Sequence, residues 1–89
     1  MKTVHLIISG KVQGVFFRAT AKKKADQLLL NGWVKNIPGN KVEIVVSGES
    51  EAIKKFITWS QSGPPNALVK KVVVNEIVPQ VFTSFRIIK

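Results

Sequence analysis

Eighty-nine residues, 45% hydrophobic and 21% charged, predict one domain over residues 1–89 with enough apolar material to bury its own core. No cysteine and a single histidine exclude disulfides, thiolate metal sites, cysteine nucleophiles and most imidazole chemistry. Fourteen Lys and Arg against five Asp and Glu give a formal charge of +9, a field that draws phosphorylated metabolites, nucleic acid or acidic lipid without choosing among them.

Val4 to Ser9 is β-branched and apolar on both faces, as a central strand is. Gly10-Lys11-Val12-Gln13-Gly14-Val15 follows as a short loop containing two glycines. Phe17, Ala21, Ala25 and Leu28 then recur at helical spacing, predicting an amphipathic helix from near Arg18 to Leu29 with Lys22, Lys23 and Asp26 elsewhere on its wheel. Asn31-Gly32 breaks the pattern. Trp33 to Ile37 reads as a second strand, Pro38-Gly39-Asn40 as a turn, and Lys41 to Ser47 as the returning strand of a hairpin, with Val42, Ile44 and Val46 on its buried side. Ser50 is placed to cap a second helix with Glu49 and Glu51 at its positive end; Ile53, Phe56 and Ile57 form its apolar stripe, widened by Ala52 and Trp59. Gly63-Pro64-Pro65 ends it. Leu68 to Glu76 is a valine-rich strand, and Ser84 to Lys89 a short final one.

This order is that of the ferredoxin-like α+β sandwich, βαββαβ with a short extra C-terminal strand: an antiparallel sheet carrying two helices on one face. The two strands of each βαβ half run parallel, with a strand of the other half between them. The loop after the first strand and the end of the second therefore share one end of the sheet, roughly 10 Å apart. Arg18 and Asn36 occupy those two places. No apolar run approaches ~20 residues and the N-terminal one is too short for an export signal, so no membrane span is expected and cytoplasmic residence is.

Gly10 to Arg18 joins a strand end to a helix start, where unpaired N–H groups and the helix dipole favour an anion. Gly14 lets successive amides converge, and Arg18 would add a bidentate cation for two phosphate oxygens. By themselves these residues more often describe a glycine turn beside a solvated arginine, since short glycine loops are weak motifs. Asn36 has neither acid nor base character, but its amide donates and accepts at once, as positioning a water molecule requires; alone it is an ordinary strand-end residue. His5 is expected to alternate on a strand face, Trp33, Phe56 and Trp59 to lie in the core, and Lys22-Lys23-Lys24 to form a solvated face bordering the loop that could steer anions to it.

Gly10-Lys11-Val12-Gln13-Gly14-Val15-Phe16-Phe17-Arg18 resembles the acylphosphatase family's Gly-x-Val-Gln-Gly-Val-x-Phe-Arg signature at every fixed position. Gly32-Trp33-Val34-Lys35-Asn36 is similar to its Gly-Trp-Val-x-Asn signature, and the likeness extends over essentially the whole chain. The resemblance implies hydrolysis of the carboxyl-phosphate bond of small acyl phosphates, with no cofactor, metal or covalent intermediate. It implies a phosphate cradle from the amides of Gln13, Gly14, Val15, Phe16, Phe17 and Arg18, the Arg18 side chain binding the phosphoryl group, and Asn36 orienting the attacking water. A monomer inhibited by inorganic phosphate or sulfate is expected with it.

Two positions depart from the family pattern. Gly39-Asn40 replaces its usual Asp-Gly, and Leu29 stands where Gly is common just past the first helix. A positive φ at Leu29 would cost roughly 1 kcal/mol or more, so a rearranged helix end is the expected alternative. The Lys89 carboxylate is a candidate second partner for Arg18. The rival reading is a non-enzymatic ferredoxin-like module binding RNA or other polyanions, which the charge suits. Val4–Ser9 and Lys41–Ser47 carry no Phe, Tyr or Trp on which bases would stack, so no specific nucleic acid is expected.

Overall fold

The computed structural model describes every residue from Met1 to Lys89. Its elements are β1 (Lys2–Lys11), α1 (Phe17–Gln27), β2 (Asn31–Ile37), β3 (Lys41–Gly48), α2 (Ser50–Ser60), β4 (Leu68–Ile77) and β5 (Phe85–Ile88). The strands form one sheet in the order β4-β1-β3-β2-β5. Strand alternation decides what faces the helices: Val4, Leu6 and Ile8 of β1, Val34 of β2 and Val42, Ile44 and Val46 of β3 are buried against Ala21 and Ala25 of α1 and Ile53 and Phe56 of α2.

The opposite parity points to the face away from the helices, and Trp33, expected in the core, lies there instead. With Val34 turned inward, the period of two gives its neighbour no inward position. Trp33 is half-buried opposite Val45, with the Lys35 ammonium 5.4 Å from its ring. On the same face His5 Nε2 lies 2.7 Å from Glu43 Oε2.

The sheet is mixed rather than wholly antiparallel, because β5 pairs parallel with β2. After β4 the chain crosses the end of the sheet to the far edge, so β5 begins where β2 begins. A closed ring of hydrogen bonds fixes that crossing. The Gln80 N–H donates to Thr3 Oγ1 at 3.0 Å, Thr3 Oγ1 meets Ser47 Oγ at 2.8 Å, and Ser47 Oγ donates to the Gln80 carbonyl at 2.9 Å. Asn31 Nδ2 adds a bond to the Phe82 carbonyl at 3.0 Å. As a result β1, β2 and β5 point the same way and finish together at the opposite end of the sheet.

Both helices terminate differently from expectation. Ser50 is the first helical residue of α2 and not its cap: Glu49, extended at φ −69°, holds the cap position, and its carbonyl accepts the Ile53 N–H at 2.9 Å. β3 runs to Gly48, so the backbone leaves the extended state one residue earlier than the capping chemistry of serine suggests. After α1 the chain keeps an ordinary helix end by placing Leu29 at φ 59°, with the Leu30 N–H on the Ala25 carbonyl at 2.8 Å. The Leu29 side chain is 86% exposed, so it recovers little by packing. Leu29→Gly is therefore expected to stabilise the fold by about 0.5–1 kcal/mol, the relief of left-handed strain less the added freedom of the unfolded chain. The midpoint of thermal unfolding followed by circular dichroism should rise by about 2–8 °C.

Candidate active site

The cradle loop is held at three points. Phe17, at the start of α1, is buried with its ring 5.4 Å from that of Trp59, in an aromatic cluster that continues through Phe56 to Phe85. The close approach requires Gly63, where a Cβ would stand 2.6 Å from the Phe17 ring. Val12 and Val15 are buried on the same side. From the other side the Gln13 amide donates two bonds, to the carbonyls of Ile37 at 2.8 Å and Lys41 at 2.9 Å. Sequence reasoning placed Gln13 here for its main-chain N–H; its side chain ties the loop to the hairpin immediately after Asn36. A long amide at a fixed position between two glycines was the available signal.

Between these anchors the backbone turns through Gly14 at φ 72° and Phe16 at φ 62°. A Cβ at Gly14 would meet nothing within 4 Å, so glycine is required there for its conformation and not for space. Phe16 has no such freedom, and its left-handed state costs roughly 1–2 kcal/mol. Alternation between the two hands of backbone points successive N–H groups into one concavity. The amides from Gln13 to Arg18 bond to no main-chain carbonyl. The carbonyl of Phe16 accepts instead, from the N–H of Thr20 at 3.0 Å and its hydroxyl at 2.8 Å, which fixes the strained residue as the start of the helix.

Arg18, half-buried in the first turn of α1, has no carboxylate within ion-pair distance. Its one protein acceptor is the Ile88 carbonyl, 3.5 Å from Nη1, at the limit of a hydrogen bond. The Lys89 carboxylate, a candidate partner, makes no ion pair with it, though Lys89 lines the same cavity. Lys22, a turn further along, is not free to steer anions: its ammonium lies 3.0 Å from Asp26 Oδ2 and 3.0 Å from the Phe85 carbonyl.

Asn36 reaches the site from β2. It pairs with Val42 of β3, and Val42 with Ile8 of β1, so two ladder steps separate it from the strand that leads into the cradle. It shares the parity of Val34 and turns toward the helix side. Its Oδ1 is buried and no protein donor reaches it, which costs about 1–3 kcal/mol unless a ligand supplies the proton. Asn36, Arg18, Gly14 and Phe16 line one cavity of about 390 Å³, together with Ile87 and Lys89. No Asp, Glu, His, Ser or Thr lines it. The arrangement can hold an oxyanion between main-chain donors and a guanidinium while presenting an acceptor oxygen to one side.

The sheet face away from the helices offers no comparable platform for RNA. Its central strands carry Thr3, His5 and Ile7 beside Glu43, Val45 and Ser47, with no Phe, Tyr or Trp among them, one carboxylate in the middle, and Thr3 and Ser47 buried where Gln80 crosses them.

The acylphosphatase family pattern matches residues 4–87. An acylphosphatase of Methylococcus capsulatus is 42% identical over the whole of this chain and 98% of its own length. Among solved structures, an acylphosphatase from Coxiella burnetii superposes with a TM-score of 0.94 at 45% identity, covering 97% of this chain and 90% of that one. The crystal structure of acylphosphatase from Bacillus subtilis gives 0.96 at 33% identity, covering both chains completely. A fold of this topology, both signatures on one cavity and likeness over the full length lead to one assignment: the chain belongs to the acylphosphatase family.

Proposed function

We propose that this protein hydrolyses the carboxyl-phosphate bond of small acyl phosphates to a carboxylate and inorganic phosphate. In this reading the phosphoryl oxygens take hydrogen bonds from the amides between Gln13 and Arg18 and a paired contact from the Arg18 guanidinium. Asn36 Oδ1 accepts a proton-side bond from water, which turns the water's lone pair toward phosphorus. The P–O bond to the acyl group breaks as the new one forms, the electron pair leaves with the carboxylate, and the water's proton passes to a phosphate oxygen. A carboxylate leaves readily without protonation, so a cavity lined by no acid, base or nucleophile other than Lys89 suffices. Positioning and electrostatics carry the rate. The observation that best supports this is the pairing of an acid-free guanidinium with a buried, unsatisfied amide oxygen in one cavity.

The test is turnover of benzoyl and acetyl phosphate with no metal added, with inorganic phosphate as competitor and phosphate monoesters and ATP as controls. Hydrolysis of both acyl phosphates with competitive inhibition is expected. Equal turnover of monoesters, or dependence on a metal, overturns the reading. No helix is long and apolar enough to cross a membrane. A soluble monomer acting on a freely diffusing metabolite is the setting that fits this chemistry.

A further inference from the structure

We propose that the Phe16 ring is the contact for the acyl group, and that the preferred substrates are acyl phosphates whose acyl portion is apolar and planar, as in an aroyl phosphate. The proposal rests on the hydrolase reading above and names what that reading leaves open. At φ 62° a glycine would sit without strain, yet the chain keeps a phenylalanine there. The ring serves no core: it is 79% exposed, whereas its neighbours Val15 and Phe17 are 7% and 2% exposed. A large apolar side chain that is both strained and wet, at the rim of a cavity holding Arg18 and Asn36, marks a place where something else covers it.

Position agrees with this. Phe16, Arg18 and Asn36 line the one cavity of about 390 Å³, so an acyl group joined to a phosphoryl group held at Arg18 lies within reach of the ring. The main-chain N–H of Phe16 serves the cradle whatever the side chain is, and residue 16 is an unspecified position of the signature quoted above. Its side chain is thus free to read the acyl group while the backbone reads phosphate. An aryl acyl group stacking offset on the ring would bury both from water, a gain that an acetyl group cannot match.

The experiment compares kcat/KM for benzoyl and acetyl phosphate in the unaltered protein, Phe16→Asn and Phe16→Leu. Asparagine tolerates the left-handed backbone, so the cradle keeps its shape while the ring is lost. The benzoyl-to-acetyl ratio is expected to fall about tenfold in Phe16→Asn and to be partly restored in Phe16→Leu. An unmoved ratio, or equal losses on both substrates, overturns the role of Phe16 and leaves the hydrolase reading standing. An unaltered protein that hydrolyses neither substrate removes that reading, and this proposal with it.

Discussion

Arg18→Ala is expected to lower kcat/KM for benzoyl phosphate by about 10²-fold or more and to weaken inhibition by inorganic phosphate in parallel. Both effects have one cause. The guanidinium is the only cationic side chain of the cradle, stands at the positive end of α1 and is claimed by no carboxylate, so its charge is available to the phosphoryl oxygens in the ground state and the transition state alike. Arg18→Lys should rescue little, because a point charge cannot span two oxygens with paired bonds and a lysine stem reaches the cavity from a different place. Arg86→Ala is the matched control. It removes the other arginine, which lies exposed on β5 beside Trp33 on the face away from the helices, and turnover should stay normal. Steady-state kinetics on the three variants decide the matter: loss in the lysine variant as deep as in alanine locates the effect in geometry, and full rescue by lysine assigns it to charge alone.

Asn36→Ala should cost a similar factor in kcat, about 10² or more, but leave the inhibition constant for phosphate nearly unchanged, since in the proposed mechanism Asn36 contacts the water and not the anion. A second readout separates this from a damaged fold. Oδ1 of Asn36 is buried without a protein donor, so removing it relieves a desolvation cost of about 1–3 kcal/mol and offsets the packing lost. The variant's thermal midpoint should accordingly not fall below that of the unaltered protein. An inactive variant as stable as its parent is the pattern of a group kept for chemistry at the expense of stability. Turnover unaffected in Asn36→Ala would remove the assigned role.

Much of this arrangement is legible in the sequence because its parts are periodic or local. Val4 to Ser9, the Phe17-Ala21-Ala25 stripe and the valines of β3 each announce their element, and the βαββαβ order alone puts Arg18 and Asn36 at one end of the sheet. What escaped has physical reasons. The parallel entry of β5 depends on a non-local crossing whose hydroxyl ring joins Thr3, Ser47 and Gln80, residues unremarkable by themselves. Residue type puts Trp33 in the core, and alternation along β2 overrides type. Leu29 took the strained conformation because the bond from Leu30 to Ala25 and the short path into β2 leave the helix end no other exit. The two bonds of the Gln13 side chain are not legible, since nothing in a loop pattern tells which carbonyls a side chain will find.

The insertion of β3 between β1 and β2 has a consequence for what the enzyme can accept. The span from Asn36 to β1, the strand that leads into the loop, is two strand spacings, about 10 Å, and the Gln13 amide ties the loop to the hairpin at that end of the sheet. Such a ruler cannot stretch by loop motion, because lengthening it means parting a hydrogen-bonded ladder. Tetrahedral oxyanions are therefore gauged by the sheet itself, and larger groups must find their room outside the jaws.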